Sequence, residues 1–223
     1  MLGRSLLMKA GGVVHFEPNP PFANVVLLLH GDGANGSTNI IDSSPRPKTV
    51  TPIGNAQIST AQSKFSNSSI ALDGAGDELT TTINPINIRT DSYTIEAWCF
   101  LNSLVNYSLI GVNGNFYILV AGSNLLVGDG LINNIVVSSS TLPTGTWFHI
   151  ALSFDGATYR LFVGGILRAQ STTLLKSFSL TGIRIGAYTP SYALNGYVSE
   201  FRIATNWGYV SNFPPPSAPF PDS

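Results

Sequence analysis

The stretch GTWFHIALSFDGATYRLFVGG, Gly145–Gly165, decides the fold. Its residues alternate with a period of about two from Trp147 to Phe154, which predicts a strand. The four residues that follow, Asp155–Thr158, have the composition of a turn. A returning strand is predicted at Tyr159–Val163, so the stretch is a β-hairpin.

Both faces of this hairpin are apolar. Six side chains share a core face as the cross-strand pairs Phe154–Tyr159, Leu152–Leu161 and Ile150–Val163. The opposite face carries Trp147, His149, Ala151, Phe162 and Ile166. A hairpin covered on both sides is typical of a two-sheet sandwich, which makes His149 a structural histidine. Contact of His149 with a ligand on a concave face is the alternative.

The composition limits the class of protein. The chain has 223 residues, of which 43% are hydrophobic, so one domain with a sizeable core is expected. Charged residues are only 10%, against about 25% in typical soluble proteins. The net charge is −1 with no basic face, so nucleic acid is not an expected partner. No apolar run approaches the roughly 20 residues of a membrane span, and a single cysteine, Cys99, excludes an intrachain disulfide.

Three segments follow one another along the chain. Residues 1–24 form an N-terminal arm that ends in the stiff stretch FEPNPPF, and residues 25–207 form the domain. Residues 208–223 form a tail with five prolines between Pro214 and Pro221, which cannot be a central strand. The domain contains about ten to twelve short predicted strands and no amphipathic helix, which indicates an all-β sandwich or jelly roll.

Several phrases carry a family resemblance: LHGDGANGSTNIIDSSP, SKFSNSSIALDGAGDELT, YTIEAWCFL, the hairpin and NGYVSEFRIA. Their order, over roughly Val25–Asn206, resembles the concanavalin-A-like jelly rolls and specifically the laminin-G-like modules. Together with NFPPPSAPFP, they look like such modules in virion and tail-associated proteins of bacteriophages. The resemblance implies a two-sheet antiparallel jelly-roll sandwich, and it implies that His149 is structural because these modules often carry W-x-H-V-A-L here.

The acidic residues do not predict catalysis. The glucanase branch of this fold places paired carboxylates on one strand as E-x-D-x-x-E, whereas Glu96 and Glu200 each stand alone. The chain is therefore predicted not to be an enzyme. Because isolated charges inside a sandwich are costly, we predict that Glu96, Glu200 and Arg202 belong to structural ion pairs.

Two kinds of ligand are compatible with the loops. No cofactor is predicted. If a Ca²⁺ ion binds, Asp73, Asp77 and Glu78 in LDGAGDEL are the first candidates for its ligands, although Asp-Gly also occurs because turns need it. Four aromatic side chains interleaved with Asn, Ser and Gly are candidates for stacking on a glycan: Tyr107, Tyr188, Tyr192 and Trp207. The alternatives for these aromatics are half-buried packing at sheet ends or a protein interface.

Both ends of the chain are predicted to pack against a protein surface. The arm offers apolar residues that could add to the sheet edge of a neighbour: Leu6, Leu7, Val13, Val14 and Phe16. The tail either meets a partner in the same way or packs across its own sandwich.

The sequence thus predicts a non-catalytic accessory structural protein of a phage virion, as capsid decoration or as a tail-associated component. The expected partners are other virion proteins and further copies of the chain in a homo-oligomer, and the expected location is the virion. The alternative is a glycan-binding adhesin that recognises host surface polysaccharide.

Overall fold

The computed structural model describes residues 5–7, 15–17, 19–104, 107–112, 116–121, 124–129, 133–138, 142–189 and 192–223. Only the backbone is described for residues 5–7 and 15–17 and for part of 107–112 and 133–138. The strands in the described ranges, numbered in chain order, are β1 (Ser5–Leu7), β2 (His15–Glu17), β3 (Val25–Leu29), β4 (Thr51–Ile53), β5 (Gln57–Ser59), β6 (Ser69–Asp73), β7 (Glu78–Asn87), β8 (Tyr93–Leu101), β9 (Tyr107–Val112), β10 (Phe116–Ala121), β11 (Asn124–Gly128), β12 (Asn133–Ser138), β13 (Trp147–Phe154), β14 (Tyr159–Val163), β15 (Ile166–Ser171), β16 (Ser179–Ile185) and β17 (Asn195–Thr205). A single 3-10 turn, Phe22–Asn24, precedes β3.

Two antiparallel sheets form the domain. The first has seven strands in the order β12-β11-β10-β9-β16-β7-β4. The second has eight: seven lie in the order β15-β14-β13-β8-β17-β6-β5, and β3 pairs with β17. The predicted all-β, two-sheet antiparallel jelly-roll sandwich is thus confirmed. The structure has more strands than the sequence predicts. Three-residue strands such as β4 and β5, at the sheet edges, have too few residues to show an alternation of apolar and polar positions.

The predicted hairpin has the predicted register. β13 and β14 pair Phe154 with Tyr159, Leu152 with Leu161 and Ile150 with Val163. All six side chains are buried in the core between the two sheets, where they meet residues such as Ile118 and Val120 of β10. At about 25 cal/mol per Å² of buried apolar surface, this core supplies most of the driving force for folding.

A β-bulge in β17 lets that strand change neighbours. Residues Asn195–Val198 pair with β6, whereas Phe201–Ala204 pair with β3. Between them Glu200 has φ of 53°, a left-handed conformation that few residues other than glycine adopt. The bulge turns Glu200 toward His30, which lies just after β3.

The C-terminal segment 207–223, here called the C-terminal strap, covers the outer face of the eight-stranded sheet. Tyr209 and Phe213 stack with ring centroids 3.4 Å apart, and Phe213 lies 5.2 Å from Phe162 of β14. The Phe213 amide donates to the carbonyl of Gly165 over 2.9 Å. The tail therefore packs across its own sandwich, which is one of its two predicted positions. It covers the outward apolar face of the hairpin, because the other sheet does not cover that face.

The strap approaches the sheet closely at Gly165. A Cβ at this position would lie 1.9 Å from the Phe213 carbonyl oxygen, and the residue has φ of 73°. Only glycine accommodates both the contact and the conformation without rearrangement.

The N-terminal arm forms a small sheet of its own. β1 and β2 pair antiparallel with Leu6 opposite Phe16. The side chains of Leu6, Leu7 and Phe16 lie outside the described part of the structure, as do Val13 and Val14 entirely. The docking role of the arm therefore stays a prediction. In the described ranges no helix has the length and apolarity needed to cross a membrane.

Candidate functional site

A buried polar cluster lies beneath the strap. The Nε and a terminal guanidinium nitrogen of Arg202 donate to Oε1 of Glu96 over 2.9 and 2.7 Å. The Tyr209 hydroxyl donates to Oε2 of Glu96 over 2.9 Å, and Nε2 of His149 lies 3.2 Å from the same oxygen. All four side chains are at most 3% exposed. The prediction of a structural ion pair at Glu96 and Arg202 is confirmed.

The electrostatics of this cluster keep Glu96 ionised. Burial by itself would raise the pKa of Glu96, but the charge of Arg202 and the proximity of His149 outweigh it and lower the pKa to about 2. Neither imidazole nitrogen of His149 has a hydrogen bond of good geometry among the described residues. Since His149 is fully buried, it is a structural histidine, as predicted, and is not accessible to a ligand.

A second ion pair fixes the far end of the strap. Nδ1 of His30 lies 2.9 Å from Oε1 of Glu200, and Oε2 of Glu200 accepts the backbone N–H of Phe220 over 2.8 Å. The Phe220 ring in turn lies 3.5 Å from the Arg202 guanidinium. The predicted structural pairing of Glu200 is confirmed, with His30 as its partner.

The His30 contact makes stability depend on pH. The hydrogen bond with Glu200 raises the pKa of His30 above 6.5, helped by the negative charges of Asp32 and Asp222 and opposed by burial. The contribution of the charged pair is therefore complete below pH 6.5 and is lost as the pH rises through the higher pKa of folded His30. We expect urea unfolding to show a free energy that declines over this range, and His30→Gln to remove that decline. Equal slopes in both proteins would contradict the assignment to His30.

The three carboxylates that are candidate Ca²⁺ ligands do not form a common coordination site. Asp77 is 1% exposed, and its two oxygens accept the backbone N–H groups of Asn55 and Asp73 over 2.5 and 2.8 Å. Glu78 lies 3.2 Å from the guanidinium of Arg184. Asp73 is exposed. Across the described ranges, no three His, Cys, Asp or Glu side chains are grouped as metal ligands would be.

The candidate glycan-binding aromatics whose side chains are described do not form one stacking surface. Tyr188 and Tyr192 are half-buried near one turn, where Tyr188 packs edge-to-face on Tyr117 at 5.3 Å. Trp207 is 3% exposed and packs against Tyr209 at 4.6 Å, because it begins the strap that folds over the sheet. Its ring is therefore not available for stacking on a sugar. The side chain of Tyr107 lies outside the described residues.

A polar cleft of about 560 Å³ lies elsewhere, at the end of the eight-stranded sheet where β5, β6 and β17 meet. Its lining combines four side-chain amides, an exposed carboxylate and a tyrosine: Asn55, Gln57, Asn102, Asn195, Asp73 and Tyr197. Asp77 lies at its base, with both oxygens occupied by backbone N–H groups. The volume lies in the range of small-ligand sites.

Hydrogen bonds hold these side chains in place. The Asn55 amide donates to Asp73 over 3.2 Å, and the Asn102 amide donates to the Asn195 side-chain oxygen over 2.8 Å. The side-chain NH₂ group of Asn195 and the whole Gln57 carboxamide make no hydrogen bond to the residues that the structure describes. The cleft therefore presents oriented donors and acceptors that water or a ligand can use.

Two glycines permit close packing of the backbone beside the cleft. A Cβ at Gly196 would lie 2.0 Å from the Phe100 carbonyl oxygen, so β17 approaches β8 closely only because this residue is glycine. A Cβ at Gly74 would lie 2.8 Å from the Cβ of Asn195. The ring of Tyr197 packs edge-to-face on Phe100 at 5.8 Å, which orients it at the side of the cleft.

Most of this cleft could not be predicted from the sequence. Of its polar side chains, only Asp73 and Asp77 are candidate ligand-binding residues in the sequence, and the ligand there is Ca²⁺. A weak signal existed, since Asn102 directly follows one quoted strand and Asn195 begins another. Nothing in the sequence shows that these two asparagines and Asn55 meet.

Solved structures share the fold. Domain 4 of an extracellular GH43 arabinanase from Geobacillus stearothermophilus, in complex with arabinotriose, matches with a TM-score of 0.60 and 17% identity, over 83% of this chain and 94% of that one. The binding domain of botulinum neurotoxin serotype D matches with 0.59 and 17%, over 86% and 50%. The sialidase of Trypanosoma rangeli matches with 0.53 and 13%, over 90% and 33%.

The chain thus spans nearly all of the arabinanase domain, half of the toxin domain and a third of the sialidase. At these identities the likeness shows the fold alone. No curated protein matches the chain.

The family assignment comes from a model described as the Concanavalin A-like lectin/glucanases superfamily, which matches residues 73–206, more than half of the chain. That range begins at Asp73 in β6 and includes β8, the hairpin and all of β17, which carry three of the five quoted phrases. The chain belongs to the concanavalin A-like lectin/glucanases superfamily.

Proposed function

We propose that this chain is a non-catalytic carbohydrate-binding domain whose ligand lies in the polar cleft. One observation carries the proposal: four side-chain amides, an exposed carboxylate and a tyrosine ring converge on about 560 Å³ at one sheet end. Sugars present many hydroxyl groups, each of which both donates and accepts hydrogen bonds, and an apolar ring face that stacks on aromatic side chains. The cleft supplies both kinds of contact.

The compared structures support a sugar ligand by analogy. The arabinanase domain was solved with arabinotriose, and a binding domain of botulinum neurotoxin DC was solved in complex with SialylT. The second matches with a TM-score of 0.56 at 16% identity, over 82% of this chain and 48% of that one. Two proteins of this fold with sugar ligands favour, but do not test, the same class of ligand here.

A non-catalytic role follows from the carboxylates. Glycoside hydrolysis uses two carboxyl groups that both reach the substrate. In the cleft only Asp73 is exposed, while Asp77 is buried with both oxygens accepting backbone N–H groups. Glu96 is sealed beneath the strap by Arg202 and Tyr209. Neither the cleft nor the Glu96 cluster thus offers two accessible carboxylates.

The setting in a phage virion stays a prediction. It rests on the sequence resemblance, the low charged fraction of 10% and the N-terminal arm. A carbohydrate-binding domain fits a tail-associated or capsid-decorating protein that meets host surface polysaccharide, so the two roles are compatible.

The cleft is tested by alanine substitution. We expect the full chain to bind at least one glycan on an array that includes arabinotriose. Gln57→Ala should weaken that binding by about fivefold, the effect of one lost hydrogen bond, and Tyr197→Ala by about thirtyfold, as for a buried aromatic contact. Dissociation constants from calorimetry and melting temperatures of each variant provide the measurement.

Gln170→Ala is the matched control, since Gln170 is exposed on β15 at the opposite edge of the same sheet. It should bind like the parent. Loss of binding in Tyr188→Ala but not in Gln57→Ala would move the site to the turn between β16 and β17. A folded protein that retains no glycan would refute the proposal.

A further inference from the structure

The charge of the cleft selects among sugars. Resting on the proposed function, we infer that the cleft takes neutral, hydroxyl-bearing sugars and rejects acidic ones, with Asp73 as the residue that discriminates. Two carboxylates, Asp73 and Asp77, line the cleft, and no lysine, arginine or histidine is among its described lining residues. A carboxylate or sulfate on a sugar would therefore meet negative charge without a compensating cation.

Asp73 is held ready to accept hydroxyl groups. Its Oδ1 accepts the backbone N–H of Ala75 over 2.7 Å, and its Oδ2 accepts the Asn55 amide over 3.2 Å. An ionised carboxylate has about four acceptor sites, so each oxygen keeps a lone pair for a ligand. Hydrogen bonds from hydroxyls to a carboxylate are charge-assisted and are among the stronger ones.

Asp77 adds a fixed negative charge that a ligand does not touch. It is 1% exposed, and both its oxygens accept backbone N–H groups, so it holds the loops around Asn55 and Asp73 in place. Two unit charges 4 Å apart repel enough in water to weaken binding about fivefold, and more where the effective dielectric constant is lower. An acidic group placed beside Asp73 is thus expected to lower affinity at least about fivefold.

The neighbouring Asn102 and Asn195 complete a lining suited to hydroxyls. Their side chains are joined by a hydrogen bond of 2.8 Å and carry no formal charge. Gln57 likewise offers a neutral carboxamide that bonds to none of the described residues. A neutral sugar can therefore satisfy every polar group that faces it, whereas an acidic sugar leaves its own charge without a partner.

The test uses chemically matched probes with the full chain. Galactotriose is compared with the same trisaccharide oxidised at C6 to the carboxylate, and lactose is compared with sialyllactose. We expect the neutral member of each pair to bind at least about fivefold more tightly, with the ratio falling as ionic strength rises. Asp73→Asn, which keeps the shape and removes the charge, should reduce the ratio at least about fivefold.

Asp91→Asn is the matched control. Asp91 is an exposed carboxylate in another loop that also accepts a backbone N–H, that of Asn87, so its loss should leave the ratio unchanged.

All titrations are run with chelator and with excess Ca²⁺. Acidic sugars that bind as tightly as neutral ones, with a ratio that Asp73→Asn does not move, overturn the inference while the proposed function stands. Acidic sugars bound only with Ca²⁺ overturn it too, since a cation would then bridge the charges. Binding of none of the probes, with no other array glycan bound, refutes the proposed function and the inference together.

Discussion

Replacing Glu96 by alanine is expected to lower the free energy of unfolding by about 3–5 kcal/mol, the range measured when one member of a buried ion pair is removed. The loss is large because three partners depend on this one carboxylate. Without it, Asn19 is the one side chain among the described residues that still accepts a hydrogen bond from the Arg202 guanidinium, and the Tyr209 hydroxyl loses its acceptor. Both groups would remain buried beneath the strap.

Chemical denaturation at neutral pH measures this effect, and Glu78→Ala is the control. Glu78 pairs with Arg184, whose side chain is 35% exposed, so its removal should cost at most about 1 kcal/mol. Replacing both Glu96 and Arg202 by hydrophobic residues of similar volume should recover much of the loss, since the unpaired charge is then absent. An unchanged melting temperature in Glu96→Ala would disprove the structural role.

The dependence of stability on acidic pH is a second test of the role of Glu96. Because the pKa of Glu96 is lowered from 4.5 to about 2, its contribution is complete above pH 4.5 and is lost as the pH falls toward 2. Glu96→Gln should therefore lose less stability over that interval than the parent does.

Deleting the strap, residues 207–223, is expected to abolish cooperative folding. The deletion removes four buried aromatic side chains: Trp207, Tyr209, Phe213 and Phe220. Truncating one such side chain to alanine costs about 3–5 kcal/mol, so the sum reaches the roughly 5–15 kcal/mol by which a whole domain is stable. The deletion also exposes Ala151 and Phe162, and it removes the hydrogen bond that the Tyr209 hydroxyl donates to Glu96.

Circular dichroism and calorimetry of the shortened chain provide the measurement. A deletion of residues 221–223 is the control, because these three residues are exposed and should contribute little. Phe213→Ala in the full chain is expected to fall between the two. A strap-deleted chain that melts cooperatively near the temperature of the parent would show that the strap is an accessory rather than a part of the fold.

The register of the central hairpin could be predicted because the information is local. Alternation from Trp147 to Phe154 and a four-residue turn suffice to pair Phe154 with Tyr159, and the structure has that pair. The ion pairing of Glu96 and Arg202 could be predicted for a related reason. A charge in an apolar strand must find a partner wherever the strand lies, although the identity of the partner depends on which strands are neighbours.

The positions of the strap and of the predicted glycan-binding residues could not be derived in this way. A proline-rich segment forms no sheet hydrogen-bond ladder, so its own pattern does not show which surface it covers. The sequence around Trp207 therefore has the composition of a loop, whereas in the structure the Trp207 side chain is buried.

The sequence by itself determined the all-β class, the hairpin register and the burial of the ionic residues, because these depend on side-chain periodicity and on the cost of burying charge. The tertiary structure alone decided where a ligand could bind. Asn55, Asp73, Asn102 and Asn195 come from four separate segments, and they meet only because β17 lies between β6 and β8 and approaches β8 closely at Gly196. Such a meeting depends on strand order, and no local pattern of residues encodes it.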